Sequence, residues 1–184
     1  MPAKTIYTIG HSTRSLEELI ELLKSHGVGA IADVRQIPKS RRYPHFADTN
    51  LAVELPRHDL IYLPFKSLGG RRRARKDSPN TGWRNESFRG YADYMQTETF
   101  ERALDDLMRE AKKQPTAIMC AEAVPWRCHR SLISDALLVR GWHVLDIIGA
   151  AEPKAHKLTD FAKVEGTRIS YPQADEQPGL FVER

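Results

Sequence analysis

Between Met119 and Arg130 the chain places its two cysteines, Cys120 and Cys128, with the Glu122 carboxylate, the His129 imidazole and the Arg127 and Arg130 guanidinium groups. Those side chains support more than one chemistry. A thiol at the end of a strand and ahead of a helix N-terminus, as expected for Cys120, has a lowered pKa and serves as a nucleophile. Cys120, Cys128 and His129 are also ligands suited to a zinc or iron ion, with the Glu122 carboxylate as a fourth if all point inward, although no paired Cys-x-x-Cys unit of the zinc-ribbon kind is present. Arg130, together with Arg127, Arg35 and Arg14, could grip a phosphate or carboxylate, since the guanidinium fork matches such oxyanions. Glu122, and less directly His11, are the candidates for proton transfer. Each has a plainer alternative: an inert buried cysteine, a histidine bonded to a loop carbonyl, arginines paired internally with Asp33 or Glu122, and His11 and Ser12 capping a helix.

These residues need elements to hold them. Thr5–Ile9 is apolar and β-rich, and the Gly10-His11-Ser12-Thr13 turn follows it. Leu16, Leu19, Ile20, Leu22 and Leu23 then share a helical face, with Ser15 and Glu18 spaced as a capping box and Gly27 as the stop. Further strands are expected at Ala30–Val34, Leu60–Leu63, Pro115–Met119 and Trp142–Ile148. Helices are expected over 49–55, weakly, over 100–111 with a clear apolar stripe, and over 131–140, closed by Gly141. The stretch 66–90 is too long and polar for a tight connection and is expected to be a mobile or functional loop.

Strands alternating with helices predict a single α/β domain with a Rossmann-like three-layer arrangement and a mostly parallel five-stranded sheet. Its core spans about residues 5–148, and 149–184 forms a C-terminal tail packed on the domain and frayed at its end. In such a fold, ligands bind at the carboxyl ends of the strands. Polar groups gather there: His11 and Ser12 after the first strand, Asp33 and Arg35 after the second, Gly69 and Gly70 after the third, and the cysteine-bearing segment after the fourth.

The residues Gly10-His11-Ser12, Asp33-Val34-Arg35 with Pro38, Leu68-Gly69-Gly70, Tyr91 with Met95, and Cys120-Ala121-Glu122 with Cys128-His129-Arg130 resemble the domain-of-unknown-function family 488. The resemblance extends from about residue 5 to 172 and includes His156-Lys157-Leu158-Thr159 and Tyr171-Pro172. It implies a fold and a residue cluster but brings no established activity.

Arg71, Arg72, Arg73, Arg75 and Lys76, followed by Trp83 and Arg84, offer a separate reading as a nucleic-acid surface, with cations for the backbone and an aromatic ring for a base. A net charge of +4 over 184 residues permits a phosphate-bearing partner without demanding one. Hydrophobic content of 41% and charged content of 28% are those of a globular protein. No apolar run reaches the roughly 20 residues of a membrane helix, and the N-terminus has no signal-peptide pattern, so a cytoplasmic protein with free thiols and no membrane partner is expected.

The sequence thus favours an enzyme that binds an anionic, nucleotide-like ligand. Arg35 and Arg130 hold the anion, Glu122 and His11 handle protons, and Cys120 or Cys128 is nucleophile or metal ligand. Ser12, Asp33, Gly69 and Gly70 complete the expected binding surface. The alternatives are the nucleic-acid module and a protein that binds metal without catalysis.

Overall fold

In a computed structural model, which describes residues 4–39 and 41–173, one six-stranded sheet organises the chain. Strands β1 (Thr5–Gly10), β2 (Ala30–Asp33), β3 (Ile61–Pro64), β4 (Thr116–Cys120) and β5 (His143–Ile147) are the five expected from sequence, within a residue or so at their ends. All are parallel, in the order β3-β2-β4-β1-β5. A sixth strand, β6 (Lys154–Ala155), adds antiparallel to β5 at the edge. Every residue of β2 and β4 is buried, as a central parallel strand covered on both faces requires.

Helices cover both faces. Against one lie α1 (Leu16–Ser25) and α2 (Asp48–Arg57), packing Leu19, Leu23, Leu51 and Leu55 on Ile31, Ala117 and Met119. The capping box of α1 forms in full, Ser15 with Glu18, and Gly27 turns the chain out at φ +67°. Against the other face lie α3 (Glu86–Met95), α4 (Glu98–Ala111) and α5 (Arg130–Leu138), packing Tyr91, Leu104, Leu107 and Leu132 on Ile6, Ala32 and Ile118. This is the three-layer α/β arrangement expected from the sequence.

The sequence reading of 66–90 as one loop is corrected by α3, which begins at residue 86. Asn85 caps it, its side-chain oxygen accepting from the amides of Ser87 and Phe88. The arginine-rich segment before it is fastened down. The buried Asp93 carboxylate accepts from the Arg75 amide (2.8 Å) and the Asn80 side-chain amide (2.8 Å), and also from the Ser78 hydroxyl. Gly90 lies so close beneath the segment that a Cβ there would come within 2.1 Å of the Arg72 carbonyl.

After β5 the described chain, to residue 173, carries further regular structure. Beyond β6 it forms a hairpin of β7 (Lys163–Glu165) and β8 (Arg168–Ser170), turning at Gly166 with φ +62°. Residues 174–184, including Pro178 and the expected fraying end, lie outside the described residues. Among the described residues no helix is long and apolar enough to cross a membrane.

A buried polar network locks this C-terminal segment to the sheet. Asp135 of α5 is wholly buried and accepts from His156 Nε2 (2.8 Å), the Thr159 hydroxyl (2.7 Å) and the Tyr171 hydroxyl (2.9 Å). On its other side the His156 ring faces Asp146, whose carboxylate accepts from the Thr8 hydroxyl. Burial opposes charge on His156, but the two carboxylates outweigh it and raise its pKa from 6.5 to about 9.

A histidine pKa raised by folding stabilises the native state fully below the unfolded value, and that stability is lost as pH rises through the folded value. Urea unfolding should therefore show stability declining between pH 6.5 and about 9, by about 2 kcal/mol once solvent screening is allowed for. His156→Gln should flatten that decline; an unchanged slope would remove the role given to this imidazolium.

Candidate functional site

The site is built on a close approach of two loops. After β4, the Ala121–His129 segment folds back across the end of β1, and the Ser12 amide donates to the Ala121 carbonyl (2.9 Å) while the His11 amide donates to the Cys120 carbonyl (2.9 Å). Gly10 permits this contact, since a Cβ there would sit 1.7 Å from the Glu122 carbonyl oxygen. Pro125–Arg127 then makes one 3-10 turn, which delivers Cys128 and His129 to the start of α5.

The two cysteines, far apart in the loop, meet. The thiol sulfurs of Cys120 and Cys128 and a ring nitrogen of His129 all lie within 4.8 Å of one another. Cys128 Sγ is 3.7 Å from His129 Nδ1, and His129 Nε2 is 3.1 Å from the Val34 carbonyl oxygen. A carbonyl accepts only, so Nε2 carries a proton and Nδ1 is the nitrogen turned to the sulfur. The hydrogen bond between the thiols pulls the Cys128 pKa down, with His129 and Arg130 assisting against burial. The same bond, joined by burial, pushes Cys120 up.

This group forms the floor of a cavity of about 290 Å³ at the carboxyl ends of β2 and β4. Of the residues singled out from sequence, Cys120, Glu122, Cys128, His129, Arg35 and Gly70 line it. Glu122 is at the exposed rim, and Tyr91 of α3 forms a wall, its ring packed on His129 and its hydroxyl donating to the Leu68 carbonyl. Arg71 and Arg127 also line it, both exposed and with guanidinium groups that have no hydrogen-bond or ion-pair partner among the described residues. Arg71 holds φ +60°, a left-handed conformation that a non-glycine residue rarely adopts.

The remaining expected site residues stand behind the cavity wall. Asp33 binds Arg35 through both oxygens, to Nε at 2.9 Å and Nη2 at 2.6 Å, and accepts from the Tyr62 hydroxyl. Arg35 also donates to the Phe46 carbonyl, and its Nη1 lies 3.3 Å from His11 Nε2. His11 is buried against Phe46; burial first, and then Arg35, lower its pKa to about 4 against the pull of its hydrogen bond to Ser12. It is a neutral prop for Arg35, away from the cavity lining. Arg130 is fully buried and donates to the Glu122 backbone carbonyl (2.6 Å) and toward the Thr8 hydroxyl. Arg14 donates to the Gly10 and Ile148 carbonyls. Ser12 and Gly69 lie in the supporting turns, and Gly69 has Gln36 2.6 Å from where a Cβ would be.

The basic loop is divided in its uses. Arg72 lies 3.8 Å over the Tyr94 ring and donates to the Gly69 carbonyl, while Arg75 pairs with Asp77. Trp83 packs among Phe88, Phe161 and Tyr171. That leaves Arg71, Arg73 and Lys76 as exposed cations, with the Trp83 ring half-buried in its aromatic cluster.

Sequence reasoning passed over Tyr91 and Phe88 as cavity walls because α3 was not expected, and it read Arg71 only as part of a charge run. The signal was present in the Asn85 cap followed by apolar residues at Tyr91, Ala92 and Met95.

A sequence model of the family described as "Domain of unknown function DUF488" matches residues 15–137, about two thirds of the chain. The match takes in Cys120, Cys128, His129 and the wall residues; the Gly10-His11-Ser12 turn and the His156–Thr159 and Tyr171-Pro172 segments lie beyond its ends. No curated protein and no solved structure matches the chain.

The division between lining and supporting charges has a direct test. Asp33→Ala should destabilise the fold by about 3–5 kcal/mol in chemical denaturation, because it strands a buried guanidinium. Arg71→Ala should cost less than about 0.5 kcal/mol. Equal costs for the two would contradict the assignment.

Proposed function

Since this chain belongs to the DUF488 family, whose description assigns no reaction, we propose from the cavity that it is an enzyme acting on a small anionic substrate. One observation carries the reading: a single cavity joins both cysteines and His129 with two guanidinium groups that no acid among the described residues neutralises. An unpaired arginine at a cavity mouth is free to take a phosphate or carboxylate bidentately. An arginine already forked onto a carboxylate, as Arg35 is, has little left to offer.

In this reading Arg71 and Arg127 grip the anion, and Arg35 supplies positive potential from behind. Glu122 stands at the rim where a proton can be exchanged with solvent. Cys120, Cys128 and His129 form the reacting centre at the floor. His11, Ser12, Asp33, Gly69 and Arg130 act as positioning residues, holding the loops whose ends carry those groups. The volume suits a substrate of sugar-phosphate or nucleotide-fragment size, and the chemistry is group transfer or hydrolysis.

Calorimetric titration with inorganic pyrophosphate at low ionic strength tests the anion grip. Wild-type protein should bind with one site, and Arg71→Ala combined with Arg127→Ala should weaken binding at least about tenfold while the far-ultraviolet spectrum stays native. Absence of binding by the wild type, or equal binding by the double variant, would sink the proposal.

A further inference from the structure

We infer that Cys120, Cys128 and His129 together hold one zinc ion at the floor of the cavity, with its fourth coordination position open to the ligand. The inference rests on the cavity being the working site but is carried by different atoms from those that grip the anion.

Three observations converge on it. The first is spacing. Around a tetrahedral zinc with Zn–S of about 2.3 Å and Zn–N of about 2.05 Å, sulfur and nitrogen lie about 3.6 Å apart, and two sulfurs about 3.8 Å apart. Cys128 Sγ and His129 Nδ1 are 3.7 Å apart, and all three ligand atoms fall within 4.8 Å. Cys128 and His129 are neighbours in sequence, but Cys120 arrives from the end of β4, eight residues earlier, so the trio is a product of the fold.

The second is the imidazole. A metal-bound histidine typically donates its other ring N–H to a backbone carbonyl or carboxylate, which fixes its tautomer and aims the lone pair at the ion. The Val34 carbonyl, 3.1 Å from His129 Nε2, occupies that position and leaves Nδ1 facing the sulfurs. Gly70 keeps the space beside Nδ1 clear, since a Cβ there would stand 3.0 Å from it.

The third is what is missing from the ligand set. Among the described residues no fourth metal-type side chain joins the group, and the group lines the cavity. Structural zinc sites close with four protein ligands, whereas catalytic ones use three and leave a place for water or substrate. Two thiolates and an imidazole suit zinc better than the oxygen-seeking cations. An anion held by Arg71 and Arg127 would share the cavity with the open position. On binding, each coordinating thiol gives up its proton to solvent, with no change of oxidation state.

Reduced, chelator-stripped full-length protein titrated with Co²⁺ and then Zn²⁺ tests this. The expected result is one equivalent of Co²⁺ with a thiolate charge-transfer band and the intense visible bands of a tetrahedral site, displaced by one Zn²⁺. Cys128→Ser and His129→Ala should each weaken binding at least about 100-fold. No charge-transfer band in the wild type, or undiminished affinity in Cys120→Ser/Cys128→Ser, overturns the assignment. The first readout needs no variant to fold. If the wild type takes the metal but no pyrophosphate, the anion reading fails and the metal site stands. If it takes pyrophosphate without a cobalt band, the metal site falls alone.

Discussion

The loop that follows β4 is laid against the end of β1 with no side chain between them. Gly10 leaves its Cβ space to the Glu122 carbonyl, the amides of His11 and Ser12 bond to the carbonyls of Cys120 and Ala121, and Arg130 reaches back to the Glu122 carbonyl from the start of α5. Every later feature of the cavity depends on this clamp. It fixes where the chain leaves the sheet at Cys120 and bounds the short path back to Cys128. A larger residue at Gly10 would push the loop outward and separate sulfurs that the fold holds together. Backbone hydrogen bonds, which need no particular side chains beyond the glycine, thus do the positioning that the reactive groups require.

Buried charge is handled with the same economy. Arg35 and Arg130 look alike in sequence to Arg71 and Arg127, yet the first two are consumed by the protein and the guanidinium groups of the second two have no partner among the described residues. A guanidinium taken out of water must have its donors satisfied, and Asp33, the Phe46 carbonyl and His11 do this for Arg35. Neutrality of His11 is part of the arrangement: a protonated ring beside that guanidinium would set two cations together, and burial prevents it. Arg130 is less completely served, since its Nε has no partner among the described residues, and it carries that cost at the point where the loop, β1 and α5 join. A second set of buried acids, Asp135 and Asp146, shares the single positive charge of His156 from the C-terminal segment. The chain beyond β5 therefore completes the electrostatics of the sheet as well as covering it.

The parallel strands were legible because each is a short apolar run bounded by turn residues, and the capping box at Ser15 and Glu18 marked α1 outright. The convergence of Cys120, Cys128 and His129 was legible as composition but not as geometry, since spacing along a loop does not say whether its ends meet. Helix α3 was hidden because Gly90 and the preceding arginines diluted its pattern. The apolar face that counts, Tyr91, Ala92 and Met95, is short and is decided by packing against α4 and the sheet. Strands β6, β7 and β8 are two or three residues long and mostly exposed, so they lack the alternation that betrays a strand. Assignment of the anion grip to Arg35 and Arg130 had a different origin. Residue type tells which groups can bind an anion, and only the fold tells which of them already have.

Alternation along β4 explains why the Cys120 thiol faces this cavity rather than the other side of the sheet. Ala117 and Met119 point to the α1–α2 layer, while Ile118 and Cys120 point to the layer of α3, α4 and α5. Cys120 is the last residue of that second row, so its sulfur stands at the open end of an apolar column where Tyr91 and Gly70 form the sides. A slip of one residue in the pairing of β4 would exchange the rows and carry Cys120 to the opposite layer, away from Cys128. Parallel partners on both sides, β2 through Ala30↔Thr116 to Asp33↔Met119 and β1 through Tyr7↔Ala117 to Gly10↔Cys120, hold the register against such a slip. The central position of β4 in the sheet is therefore a condition of the chemistry. An edge strand, paired on one side only, would leave the sulfur's placement to half the number of hydrogen bonds.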